Sequence, residues 1–260
     1  MVVFFDIDGT IVDDATQIIP DSVPQAIHAL RKNGHLPVIN TGRPYGHIDP
    51  RVRRMEFAGW VCGCGMQVIL RNRMIYKDYP DPACCRRVAD LAADCGMLIL
   101  AEGERDLFFD SAVTYSGAPA MEAERMRQKG FGVRDLRKTD HLQFIKFVTH
   151  DSPSCDRQRF LAGVGDLFDA IDRGDSLMEF VKKGNSKARG MEILLKAMQI
   201  PKEQTYAFGD STNDLPMFRT AGTTICMGGG MEALKAEADF VTASVLDDGI
   251  YRGLAHFGLI

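Results

Sequence analysis

Val2-Val3-Phe4-Phe5 leaves no polar side chain on either face, and it runs straight into Asp6-Ile7-Asp8-Gly9-Thr10. A strand apolar on both sides must be covered on both sides, the condition of a central strand in a parallel sheet flanked by helices. Asp21 stands as an N-cap before Val23, Ala26, Ile27 and Leu30, whose i, i+3, i+4, i+7 spacing marks one helical face, and Gly34 stops it. Leu36 to Ile39 and Gly59 to Cys62 read as further strands, and Met66 to Leu70 with Met74 to Tyr76 as a hairpin around Arg71-Asn72-Arg73.

The far end repeats the rhythm. Met191, Leu194, Leu195 and Met198 line a helix over 187–199, Thr205 to Phe208 is a strand, 212–219 a helix, Thr223 to Met227 a strand and 231–238 a helix. Strands alternating with helices predict an α/β fold with a doubly wound, Rossmann-like parallel sheet. The middle differs. Tyr79-Pro80-Asp81-Pro82 punctuates the chain, and a helix over 83–95 with strands at 97–101, 142–148, 166–171 and 176–181 follows at irregular spacing. The expected division is a core of 1–80 and 182–260 interrupted by an inserted α+β unit, 81–181. At about 150 residues per domain, 260 residues make about 1.7 domains, which suits one interrupted core.

Composition narrows the classes. Lys and Arg total 31 against 35 Asp and Glu, a net charge of −4, and no basic stripe argues for nucleic acid. Arg51, Arg53 and Arg54 read as a solvated face. No apolar run approaches the ~20 residues of a membrane span, and the start lacks a basic region and cleavage site, so a cytoplasmic protein is expected. The seven cysteines match no zinc-finger spacing and read as free thiols in a reducing compartment.

Four places can carry chemistry. Asp6 and Asp8 point to one side just past a strand's C-terminal end, where open α/β sheets bind ligands. Two converging carboxylates call for a proton or a hard divalent cation. Gly209-Asp210-Ser211-Thr212-Asn213-Asp214 follows the other apolar strand, adding a second acidic cluster at the same edge. Asn40-Thr41-Gly42-Arg43-Pro44 offers a hydroxyl and exposed N–H groups at a strand-to-helix turn, suited to a phosphate oxygen. Lys187 opens a helix, where the dipole disfavours a cation unless an anion is near. Each has a plain reading too: turn formers after a strand, helix caps, a Gly-Pro loop, a surface lysine. Together they are the parts that phosphoryl transfer needs. The pattern Gly228-x-Gly230-x-x-Ala233 imitates a dinucleotide fingerprint, but too little chain follows for a second half.

These motifs, in this order, resemble the haloacid dehalogenase superfamily, specifically its Cof-type phosphatases with a large α/β cap of the C2 type. The flanks are similar as well: Met227-Gly228 before Lys235-x-x-Ala238-Asp239-Phe240-Val241-Thr242, then Asp248-Gly249-Ile250. The resemblance implies a phosphatase for a small phosphorylated metabolite, a sugar phosphate by class. Asp6 would attack phosphorus and form an aspartyl-phosphate, and Asp8 would protonate the leaving alcohol and then activate water. Mg2+ would be held by Asp6, the Asp8 carbonyl and Asp210, with Asp214 supporting through water. Thr41, the Gly42 N–H, Lys187 and Asn213 would hold phosphate oxygens. The inserted unit would close over the site, hinged near Pro80 and Lys182, with Glu102, Arg105 and Asp106 as loop charges able to meet a polyol. Cys64-Gly65 stands where such proteins carry Asn-Gly, and Gly229-Gly230 where they carry Asn-Ala. The expected partners are a small phosphate ester and neither nucleic acid nor membrane, in a monomer or weak homodimer. The alternatives are a phosphomutase of the same superfamily and a phospho-accepting regulatory module without turnover; receivers of that kind are about half this length.

Overall fold

The computed structural model describes residues 1–110, 124, 126–128, 130–174 and 176–260, and it divides into two compact units. The first comprises Met1–Arg43, Pro50–Lys77 and Asn185–Ile260; the second comprises Pro44–Asp49 and Asp78–Gly184. The expected cuts at Pro80 and Lys182 lie within a few residues of these boundaries. Pro44–Asp49, which the sequence places with the core, groups with the second unit.

The first unit is built on an eight-stranded sheet in the order Phe240–Val241, Thr223–Cys226, Thr205–Gly209, Val2–Phe5, Leu36–Asn40, Gly59–Cys62, Gln67–Leu70, Arg73–Lys77. Pairing is parallel through Gly59–Cys62 and antiparallel in the closing hairpin. Val2–Phe5 is buried on both faces, as its composition demands. On one side Val2, Phe4, Val38, Val61 and Val68 pack with Met191, Leu194 and Leu195 of helix Lys187–Met198. The chain proceeds from Val2–Phe5 outward to Leu36–Asn40 and later returns on its other side with Thr205–Gly209. That reversal opens a crevice at the C-terminal ends of these strands, where such sheets bind ligands.

Several elements differ from expectation. Asp21 occupies the N-cap of Ser22–Lys32 but is itself helical and makes no side-chain cap bond. The expected helix 212–219 is a 3-10 turn, Thr212–Asp214, followed by Leu215–Thr220, because Pro216 must sit in a helix's first turn. The expected helix 231–238 shortens to Glu232–Lys235.

In the second unit the sheet order is Phe168–Asp172, Leu177–Lys182, Lys146–His150, Leu98–Glu102, Asp106–Phe109, Gly132–Asp135, with only the last pair parallel. The expected strand 142–148 is shifted to Lys146–His150. Helices Pro82–Asp94 and Arg157–Val164 cover one face around Phe147, Phe160 and Phe180; the Phe147 and Phe180 rings stack at 4.6 Å. Glu102, Lys146 and Glu179 lie on the opposite face. Lys146 Nζ meets Glu179 Oε1 at 2.6 Å and Glu102 Oε1 at 3.3 Å, and Arg173 Nε adds 2.8 Å to Glu179 Oε2. Of Glu102, Arg105 and Asp106, expected together in a loop, Glu102 ends one strand and Asp106 begins the next, where it pairs with Arg134 at 3.0 Å.

Burial alone would raise the Glu179 pKa, but Lys146 and Arg173 outweigh it and hold it down at about 2. With the folded value below the ordinary one, this stabilisation is full above about pH 4.5 and is lost as pH falls toward 2. Glu179→Gln is expected to cost about 3–5 kcal/mol in urea unfolding at neutral pH, by leaving Lys146 and Arg173 short of a counter-charge. The gap from the wild type should narrow as both proteins are acidified.

Candidate active site

Four chain segments meet at the crevice. The strand Val2–Phe5 delivers Asp6, whose N–H continues the ladder to the Phe208 carbonyl at 3.1 Å. Gly9 has φ +70°, and a Cβ there would lie 2.2 Å from Asp210 Oδ2. Glycine is required both for the left-handed turn and for the approach of Asp210. Thr10 Oγ1 donates to Asp210 Oδ1 at 3.2 Å and orients that carboxylate from the other side.

Helix Lys187–Met198 begins at a Ser186 cap, whose hydroxyl accepts the Arg189 N–H at 3.1 Å. Asn40, buried, donates from Nδ2 to the Lys187 carbonyl at 3.0 Å and fixes the first turn. The Lys187 side chain is buried among three acceptors. Nζ lies 2.8 Å from Asp6 Oδ2, 2.6 Å from Asp214 Oδ1 and 3.3 Å from Asn213 Oδ1. An ammonium has three protons, so each finds an acceptor. Burial would lower the Lys187 pKa, but Asp214 and Asp6 overcome this and keep it charged. These are the anions that the sequence argument required near a cation at a helix start.

Asp214 is fully engaged. Its Oδ1 takes Lys187, and its Oδ2 accepts the N–H groups of Asp210 and Ser211 at 3.1 and 3.2 Å. It therefore holds the acidic loop in shape as well as balancing Lys187. Oxygens of Asp6, Asp210 and Asp214 lie within 4.8 Å of one another. The Asp8 side chain is outside this cluster and forms a bidentate pair with Arg43, both contacts at 2.6 Å. Thr41 is buried, its Oγ1 accepting the Arg43 N–H at 3.2 Å, and Gly42 lies between them in the same turn. Asn213 Oδ1 also accepts from Ser211 Oγ at 2.9 Å. Cys64 is buried with φ +54°, a conformation Asn adopts more readily than Cys, while Gly229 faces open space.

The structure brings Asp6, Lys187, Asn213, Asp210 and Asp214, all singled out in the sequence, into one neighbourhood. Sequence reading gave no role to Arg43 or Asn40. Arg43 stands inside a quoted motif, but its pairing with a carboxylate 35 residues away has no periodicity to reveal it.

The cluster holds more negative charge than Lys187 balances. Burial, reinforced by neighbouring carboxylates, raises Asp6 to about 7 and Asp210 to about 8. Crowded hard oxygens with an unmet charge fit a divalent cation. Carboxyls raised by folding keep protons that the unfolded chain releases, so their contribution to stability falls as pH rises from about 4 toward 8. A cation binds only the ionised groups and reverses that trend. Thermal unfolding between about pH 5 and 8.5 should show cation stabilisation growing with pH, and Asp210→Asn should flatten the effect.

The model of the haloacid dehalogenase-like hydrolase family matches residues 3–254. YkrA of Bacillus subtilis (strain 168) is 29% identical over 260 residues, covering 99% of this chain and 98% of that protein. The 5-amino-6-(5-phospho-D-ribitylamino)uracil phosphatase YitU of the same organism is 26% identical, covering 97% and 95%. Among solved structures, the HAD subclass IIB sugar phosphatase BT4131 superposes with a TM-score of 0.81 at 24% identity, covering 100% of this chain and 99% of that one. A protein of Geobacillus kaustophilus HTA426 gives 0.82 at 24% identity, with the same coverage. These two likenesses concern the fold. Among the described residues, no helix is long and apolar enough to cross a membrane.

Proposed function

Because the chain belongs to the haloacid dehalogenase-like hydrolases and is a phosphatase of that family, we propose that it hydrolyses a small phosphorylated metabolite, of the sugar-phosphate class, through an aspartyl-phosphate on Asp6. The observation that carries this reading is the buried Lys187 ammonium bound to Asp6 at the end of the central strand.

Lys187 holds Asp6 Oδ2 and leaves the other oxygen as the nucleophile. The Asp6 oxygen bonds to phosphorus as the bond from phosphorus to the leaving oxygen breaks. Asp8 delivers a proton to that leaving oxygen, then takes one from the water that cleaves the acyl phosphate. Thr41, the Gly42 N–H, Asn213 and Lys187 surround the phosphoryl oxygens. A phosphoryl oxygen that reaches Nζ takes the place of one of its three present acceptors. Mg2+ would be held by Asp6 and Asp210, with Asp214 bracing the loop, and would supply neutralising charge for the phosphoryl group. Asp210 is kept in place for this by Thr10 and by the close packing of Gly9.

A panel of phosphorylated metabolites assayed with Mg2+ for free phosphate tests the reading. Turnover of at least one sugar phosphate without a bisphosphate activator is expected. Asp6→Asn should lower kcat by about a thousandfold or more. No turnover across the panel, or an undiminished Asp6→Asn enzyme, would sink it.

A further inference from the structure

Arg51, Arg53 and Arg54 read from the sequence as one solvated face, and all three are exposed, but two of them also line a pocket. It belongs wholly to the first unit. It lies between helix Ser22–Lys32, with the loop before it, and the chain in and after the short helix Pro50–Arg53. Its volume is about 450 Å3, within the range of small-molecule sites. The apolar lining is Ile19, Pro20, Pro24, Ile27 and Met55. Ile27 is 1% exposed and anchored in the core, and the two prolines have a fixed φ, so this lining is stiff.

The walls are braced against each other. Arg31 Nη1 donates to the Glu56 carbonyl at 3.0 Å, and Arg51 Nη2 donates to the Gln17 carbonyl at 3.2 Å. The Arg54 N–H closes its turn on the Pro50 carbonyl at 3.1 Å. A pocket held open in this way needs little ordering when a ligand enters.

The charges around it fall into two groups. Glu56 is met from outside, its Oε2 3.8 Å from Arg31 Nε and 3.7 Å from His28 Nδ1, and Arg51 is engaged with Gln17. Asp21 and Arg54 are left. Asp21 stands at the N-cap of its helix yet makes no side-chain cap bond. Among the described residues, neither its carboxylate nor the Arg54 guanidinium has a hydrogen-bond or ion-pair partner. Opposite charges thus line one pocket without meeting each other, over an apolar floor. A simple anion at Arg54 would face Asp21 as a like charge, and a simple cation at Asp21 would face Arg54. A molecule carrying both charges and an apolar group satisfies all three features.

We propose that this pocket binds an α-amino acid with a large apolar side chain, its carboxylate on Arg54, its ammonium on Asp21 and its side chain on the floor around Ile27 and Met55. A guanidinium suits a carboxylate because its planar N–H groups match the two oxygens. The pocket shares no residue with the carboxylate cluster, and the proposal is independent of the phosphatase reading.

Calorimetric titration of the full chain with L-phenylalanine tests it. Saturable one-to-one binding is expected below about 10 mM. N-acetyl-L-phenylalanine lacks the ammonium, phenethylamine lacks the carboxylate and glycine lacks the apolar group. Each should bind at least about fivefold more weakly than phenylalanine. Asp21→Asn and Arg54→Gln should each weaken phenylalanine by the same factor without lowering Tm, because both side chains are exposed. Absence of saturable binding, a smaller loss in either variant, or a truncated probe that binds as well as phenylalanine overturns the proposal.

Discussion

The Lys187 ammonium is the interaction on which the first unit depends. Taking such a group out of water costs several kcal/mol, and only close opposite charge repays it. Asp6 comes from the central strand, Asp214 and Asn213 from the loop after its neighbour, and the lysine from a helix start. None of these segments can shift without leaving a buried charge unmet. The same contact restrains Asp6, the residue assigned as nucleophile, so the fold's costliest burial and its chemistry coincide. Asn40 and Ser186 extend the restraint by fixing the helix turn from which Lys187 projects.

The second unit solves a similar problem differently. Lys146 also sits between two carboxylates, but on a sheet face, reached by strand register rather than by loops. Glu179 stays ionised there to about pH 2, whereas Asp6 and Asp210 are pushed up to about 7 and 8. The contrast is one of charge balance. Two cations flank Glu179, while one lysine serves a cluster of three acids. An excess of carboxylate is unfavourable unless a ligand removes it, which separates a structural ion pair from a site.

The central sheet was legible because Val2–Phe5 and its neighbours are apolar on both faces, a pattern with few alternative readings. Helix Lys187–Met198 was legible from Met191, Leu194, Leu195 and Met198 on one face. Strand Asp106–Phe109 was missed because its buried residues, Leu107 and Phe108, are adjacent and break the alternation, and Gly132–Asp135 because none of its residues is buried. Gly249–His256 escaped because glycines occupy its buried stripe. In the site, spacing identified the acids and the lysine, but not that Asp214 spends both oxygens on Lys187 and two N–H groups. The Arg43–Asp8 pair was invisible for the same reason: contacts between loop residues follow from the fold, not from local periodicity.

The register of the sheet also orders events in time. Phe5 pairs with Phe208, so the central strand meets one of its two neighbours only after the chain has run through the whole second unit. During synthesis, at roughly 5–20 residues per second, the fully apolar strand emerges at least several seconds before that partner. It has Leu36–Asn40 to pair with in the interval, and one edge stays open. Non-local pairing of this kind slows folding and leaves apolar edges exposed. The second unit, whose strands pair within a continuous stretch of chain, is free to form first. The carboxylate cluster therefore cannot be complete before the chain has run past the second unit to Asp214, and the nucleophile waits for its lysine until that unit has been synthesised.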